Sequence, residues 1–196
     1  MKKYYLKVDR KAFLYPNELI NMLDLMSEKQ TYTVKILINT GARINEARHI
    51  IKKDIDFDRK NMTLVHTKVR AKLGETRPSP RKIPISTDFS KYIKRNINKH
   101  TVLSTKHTGL ILKKYSKEVG VKSWKDMSAH NLRKTFGSWM LALGVDGFKL
   151  AQHLGHAPDE LRKSYASPDI FSEKDKMLML NILGDLPKRM IIKSIY

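Results

Sequence analysis

One stretch constrains this chain more than any other: Ser128 to Ser167, SAHNLRKTFGSWMLALGVDGFKLAQHLGHAPDELRKSYAS. Four polar residues, His130, Arg133, His156 and Tyr165, sit inside an apolar pattern at helical spacing. Leu132, Phe136, Trp139, Met140 and Leu143 form a stripe that a helix must bury. His130 and Arg133 are three apart and so share one helix face. A guanidinium recognises phosphate through paired hydrogen bonds. A tyrosine hydroxyl can attack phosphorus and hold it covalently. The stretch therefore reads as helices around a short loop that present an anion site with a nucleophile.

The charge balance points to the same kind of partner. Lys and Arg number 39 against 19 Asp and Glu, a net charge of +20 on 196 residues. Such an excess repels itself in a compact chain and makes sense opposite a polyanion. A long basic amphipathic terminus is missing, so an anionic membrane surface is disfavoured. The chain has no cysteine, which excludes disulfides, thiolate metal sites and thiol catalysis. It has no apolar run of membrane-spanning length. Its start, MKKYYLKVDRK, lacks the apolar core of a secretory signal, so an intracellular protein is expected.

The remaining chain reads as helices interrupted by one hairpin. Met1 to Phe13 reads as a short strand or an arm. Asn17 is a candidate N-cap for a helix that fades near Lys29, with Leu19, Ile20, Leu23 and Met26 at helical spacing. Thr31 to Asn39 is a second helix with Val34, Leu37 and Ile38 inward. Thr40 and Gly41 break it, and a third helix begins near Ile44. Arg43 therefore falls on a helix junction; taken alone, it is a surface arginine capping a helix. From Asp54 to Ser86 the period changes to that of strands, with Met62, Leu64 and His66 alternating and RKIPIS returning. A long, basic turn connects them. Thr87, as cap, opens a helix to Ile97. Another spans Thr105 to Val119, with Leu110, Leu112 and Tyr115 apolar and Lys106, Lys113, Lys114 and Lys117 on a basic face. Ser128 caps the helix of the organising stretch. A short helix follows with Phe148, Leu150 and Leu154 inward, stopped by Gly155. Pro158 opens the one expected to carry Tyr165. Ser172 to Leu186 is an apolar helix that either folds on its own core or docks elsewhere. KRMIIKSIY reads as a strand or an arm. No repeat, low-complexity segment or linker appears, so a single domain over 1–196 is expected.

HNLRKTF, LGH and SYAS together resemble the signature of the tyrosine recombinases, the phage-integrase family. In that family a His-x-x-Arg pair precedes Leu-Gly-His, and the nucleophilic tyrosine follows nine residues after that histidine, as Tyr165 follows His156 here. TGARINE, Thr40 to Glu46, resembles the family's Thr-Gly-x-Arg-x-x-Glu motif. The resemblance runs from about Asn17 to the C-terminus. It implies an α+β fold, mainly helical, with a small antiparallel sheet at one edge. It implies site-specific recombination of double-stranded DNA by Tyr165, through a 3′-phosphotyrosine link. Arg43, Arg133, His130 and His156 would surround the phosphate. A hairpin lysine, Lys68 by position or Lys72 in this longer turn, would protonate the leaving oxygen. Glu46 would orient Arg43. No cofactor and no metal are expected. A monomer assembling into a tetramer on DNA through its C-terminal tail is expected. The family's usual N-terminal DNA-binding domain has no room before Arg43, so the chain reads as a catalytic fragment or a minimal enzyme.

Three other readings compete. Type IB topoisomerases share the chemistry, but the spacing from His156 to Tyr165 favours a recombinase. A DNA-binding regulator with a decayed site would have lost catalytic positions, and here all are filled. A metal site from His130, His153 and His156 lacks a carboxylate of clear geometry, Asp159 and Glu160 being the nearest in sequence.

Overall fold

Helix α2 (Glu28–Thr40) organises the fold because it is buried almost all round. Val34, Ile36, Leu37 and Ile38 are all inaccessible, and a helix with buried residues on successive positions is surrounded by other elements over that length. The computed structural model describes residues 13–65, 80–155 and 168–192. Around α2 lie α1 (Pro16–Asp24), α3 (Ile44–Arg48), α4 (Thr87–Asn96), α5 (Thr105–Glu118), α6 (Ala129–Ala142), α7 (Gly147–Leu154), α8 (Glu173–Leu183) and α9 (Leu186–Ile192). A three-stranded antiparallel sheet is inserted after α3, in the order β1 (Ile55–Asp56), β2 (Asn61–Leu64), β3 (Arg81–Pro84). Its register pairs Met62 with Ile83 and Leu64 with Arg81. Among the described residues, no helix is long and apolar enough to cross a membrane.

Helix α6 is the main partner of α2. Its stripe of Leu132, Phe136, Trp139 and Met140 is fully buried. Burying each such side chain contributes about 1.5–3 kcal/mol. Polar groups fix the alignment. Trp139 Nε1 donates to the Leu14 carbonyl at 3.0 Å, and the Leu14 amide donates to Thr135 Oγ1 at 3.0 Å. These two bonds tie the segment before α1 onto α6.

The end of α2 is set by two residues. Thr40 Oγ1 donates to the Ile36 carbonyl at 2.6 Å and accepts the Ala42 amide at 3.2 Å. Gly41 then turns left-handed at φ 61°. A Cβ there would stand 2.5 Å from Phe136 and 2.8 Å from Leu154, so glycine is needed for space as well as for backbone freedom. Helix α7 closes the same corner. His153 is buried and stacks on Phe136 at 5.2 Å between ring centres. Its Nε2 donates to the Thr40 carbonyl at 2.9 Å, which fixes the tautomer.

The C-terminal helices fold back on the chain's own core through Met179, Leu183, Leu186 and Met190. Polar clamps hold them. Asp185 accepts the Thr87 amide at 2.7 Å and the Thr87 hydroxyl at 2.8 Å. Arg189 donates to the carbonyls of Arg59 and Lys60 at the β1–β2 turn.

Several details differ from the sequence reading. Helix α1 is capped at Tyr15, whose amide donates to Glu18, so Asn17 lies inside the first turn. It ends at Asp24, and α2 starts at Glu28, because Ser27 and Gln30 form a second start signal. Ser86, not Thr87, caps α4, since its hydroxyl accepts the Phe89 amide while Thr87 is taken by Asp185. Leu110 and Phe148 are exposed rather than inward. Of the stretch read as a strand or arm, residues 188–192 belong to helix α9 (Leu186–Ile192), and 193–196 lie outside the described residues. The expected arm at 1–12, the hairpin turn at 66–79 and the helix carrying Tyr165 lie outside the described residues.

Two predictions follow from the α2–α6–α7 corner. Gly41→Ala forces a Cβ into Phe136 at a left-handed backbone, and its cost should be about 2–4 kcal/mol in urea titration. Burial first, then the charges of Arg81 and Arg133, lower the His153 pKa from 6.5 to about 4, against the opposing hydrogen bond to Thr40. The unfolded imidazole takes up its proton first as pH falls. Native stability should therefore be intact above pH 6.5 and lost towards pH 4, by about 3 kcal/mol from this residue. His153→Gln, which keeps a donor for Thr40, should flatten that loss in denaturation measured at pH 7 and pH 4.5. An unchanged slope would remove His153 as its source.

Candidate active site

Arg43 occupies the N-cap position of α3, with extended backbone at φ −67° and ψ 147°. Its own amide donates to Glu46 Oε2 at 2.8 Å, three residues on. That bond is one half of a capping box, and it explains the Arg-x-x-Glu spacing physically. The Arg43 side chain returns to the same carboxylate, Nη1 to Oε1 at 3.0 Å. Its Nη2 reaches the Gly155 carbonyl at 3.4 Å. About a third of the side chain, 35%, stays open to solvent.

Arg133 is the opposite case, 1% exposed at the heart of α6. Burying a guanidinium is costly unless its donors are used. Here Nη1 donates to the Gly41 carbonyl at 2.7 Å and Nη2 to the Leu154 carbonyl. These carbonyls end α2 and α7, where no further turn supplies an amide. The partial negative charge of a helix C-terminus adds to the attraction. Arg43 and Arg133, far apart in sequence, thus donate to adjacent carbonyls, those of Gly155 and Leu154.

A third arginine completes the cluster, one absent from the sequence reading. Arg81 begins β3 and grips Glu46 with two parallel bonds, Nη1 to Oε1 and Nη2 to Oε2, both at 2.8 Å. Its Nε donates to the His153 carbonyl at 2.9 Å. The signal was present in the strand: Arg81 shares the phase of Ile83 and Ile85, which are both buried. An arginine on the inward phase of a strand needs a buried acceptor. Glu46 supplies it, with its side chain 1% exposed. Burial alone would raise the Glu46 pKa. The hydrogen bonds and charges of Arg81, then the amide and charge of Arg43, hold it down to about 2.

His130 lies in the first turn of α6 (Ala129–Ala142). Partial loss of water first, then the positive charges of Lys134, Arg133 and Arg43, lower its pKa from the ordinary value. Such a shift favours the neutral imidazole, the form that can accept a proton. His153 is buried, with its Nε2 donating to the Thr40 carbonyl. Among the described residues, no group of three His, Cys, Asp or Glu could hold a metal ion. The structure thus brings Arg43 and Arg133 together at the end of α7, and their charges reach His130. Lys68, Lys72, His156 and Tyr165 lie outside the described residues. The last two belong to the segment that begins directly after Gly155.

Known proteins share this sequence and fold. A tyrosine recombinase XerA of Pyrococcus furiosus is 26% identical over 182 residues, covering 86% of this chain and 60% of that protein. The XerA of Saccharolobus solfataricus is 31% identical over 135 residues, covering 65% of this chain and 42% of that protein. The chain thus spans less than two thirds of the length of these relatives. Among solved structures, a XerA recombinase superposes with a TM-score of 0.62 at 18% identity, over 87% of this chain and 64% of the other. The Tn1549 transposon integrase in complex with transposon right end DNA gives 0.64 at 20% identity, over 88% and 66%. The model of the phage integrase family matches residues 12–170, most of the sequence, and the chain belongs to that family.

Proposed function

We propose that this chain cuts and rejoins double-stranded DNA at specific sites, with Tyr165 as nucleophile. The observation that carries this reading is the convergence of Arg43 and Arg133 on the carbonyls of Gly155 and Leu154. Two guanidiniums of separate helices meet where the segment bearing His156 and Tyr165 starts.

The chemistry follows from that placement. The Tyr165 oxygen attacks the scissile phosphorus and the bond to the 5′ oxygen breaks. The products are a 3′-phosphotyrosine and a free 5′-hydroxyl. The 5′-hydroxyl of another strand reverses the step and releases Tyr165. The phosphodiester energy stays in the covalent link, so no nucleotide is consumed. Arg43 and His156 would donate to the non-bridging oxygens, where negative charge grows in the transition state. Arg133 would add its fixed positive charge from within the core. His130, whose pKa is lowered by partial burial first and then by its cationic neighbours, would take the phenol proton. Lys68 would give a proton to the departing 5′ oxygen. A phenol ordinarily ionises near pH 10, and the clustered cations lower that cost.

The net charge of +20 suits the DNA backbone. We read 1–196 as a single catalytic domain, since the described elements share one hydrophobic core. Assembly into a tetramer on DNA would use the C-terminal tail, where Met177 and Ile191 remain exposed although the helices are docked.

The test is covalent trapping. Nicked suicide duplexes tiling the DNA that flanks the gene are incubated with the protein, and adducts are resolved in detergent gels. An adduct is expected, and Tyr165→Phe should abolish it; an adduct with the Phe variant would overturn the assignment. Arg43→Ala should slow trapping by about 10²–10³-fold with duplex binding largely kept. Loss of binding in step with trapping would make Arg43 a simple anchor. Arg133→Lys is the informative change at the second arginine, because Ala also strips two helix ends of their donor. Its trapping should fall while its thermal midpoint falls only modestly. Trapping in excess EDTA should match trapping without it, since side-chain cations supply the charge.

A further inference from the structure

We infer that Arg81 is a positioning residue for the reaction: by gripping both oxygens of Glu46 it fixes the guanidinium of Arg43. The inference rests on the reading of Arg43 as a ligand of the scissile phosphate.

Arg43 has two tethers besides its backbone. One is the 3.4 Å approach of Nη2 to the Gly155 carbonyl, which is long for a hydrogen bond. The other is the 3.0 Å bond to Glu46 Oε1. The aim of this partly open side chain therefore depends on where Glu46 stands. Glu46 cannot hold itself in place from α3 alone, because α3 is only five residues long. Arg81 holds it from another element. Its two parallel bonds fix the plane of the carboxylate, a geometry that a lysine cannot reproduce. Its third donor, Nε, is anchored on the His153 carbonyl. Arg81 so joins β3, α3 and α7 at one point. It is 15% exposed, too enclosed to serve as a surface contact, and Glu46 and His153 take its donors.

The charges around Glu46 give the inference a signature. On its own element stands Arg43, on β3 Arg81, on α7 the neutral His153, and on α6 Arg133 with His130 beyond. With Arg81 present, Glu46 stays ionised to about pH 2. Without it, one guanidinium remains against the full cost of burial, and the carboxyl pKa must rise. Glu46 then protonates as pH falls, and its grip on Arg43 is lost on the acid side.

The experiment compares wild type, Arg81→Gln, Arg81→Lys and Glu46→Gln in the full chain. Trapping on nicked duplexes is followed across pH 5–8, with thermal melting and duplex binding as controls. Arg81→Gln should slow trapping by about 10²-fold, the scale of an ångström misplacement in a site. Besides the acid limb that protonation of the base His130 gives wild type, it should gain a further acid limb. Arg81→Lys keeps the charge and should recover part of the rate without that limb. Glu46→Gln should be slow and show no new limb. Arg81→Gln trapping like wild type at every pH would overturn the inference. If wild type itself traps no DNA, the recombinase reading fails instead, and spectroscopy still decides the Arg81 contact. The Glu46 carboxyl carbon should titrate at higher pH in Arg81→Gln, and the Arg43 guanidinium signals should change from hindered to free rotation. Should Arg81→Gln not fold, Arg81→Lys carries the same Arg43 measurement, with intermediate rotation expected. Unchanged Arg43 signals in the folded variant would sink the proposal.

Discussion

Three consecutive backbone carbonyls at the end of α7 each receive an arginine from a different element. His153 takes Arg81 from β3, Leu154 takes Arg133 from α6, and Gly155 takes Arg43 from the start of α3. A helix end offers carbonyls that have no amide to accept, and its dipole makes them more negative. Guanidiniums are suited to this place because each offers several donors and stays charged when partly dehydrated. The end of one short helix thereby collects the positive charge of the site. Without it, three like charges in one corner would have to be separated by water.

Glu46 completes the electrostatics. It is one buried anion between Arg43 and Arg81, and among the described residues its carboxylate takes four hydrogen bonds, all from those two residues. It neutralises only part of the local charge. The remainder still acts on His130, whose pKa is lowered in part by Arg133 and Arg43. A corner balanced in this way stays net positive, which suits the phosphate of the proposed reaction. A second carboxylate in the corner would cancel that advantage.

Much of this was legible in the sequence. Arg133 stands out because it interrupts an apolar helical stripe, Arg43 only because it falls in the TGARINE motif at a helix junction, and Gly41 and Gly155 announce the helix ends that they join. The stripe of α6 and the hairpin were also plain from periodicity. Arg81 was harder to see, since its partner lies 35 positions away and nothing local separates it from the other basic residues of the hairpin. Its strand phase with Ile83 was the available clue. The caps were misplaced for a different reason. Asn17 and Thr87 are good capping types, but tertiary partners decided the matter: Asp185 claims Thr87, and Pro16 at the first helical position moves the start of α1 to Tyr15. Phe148 shows the same limit, because an apolar residue in the first turn of α7 can face outward where no element covers it.

The docking of the C-terminal helices bears on the same corner. Lys149 of α7 donates to the Ile191 carbonyl of α9 at 3.0 Å, and Arg189 of α9 holds the β1–β2 turn. The sheet that carries Arg81 and the helix whose end gathers the arginines are thus both tied to α9. A displacement of α9 would act on Arg81 from two sides, through the sheet and through α7. The C-terminal tail is therefore mechanically connected to the arginine cluster by contacts within one chain. Any contact that another molecule makes with the exposed Ile191 would be transmitted along the same short path.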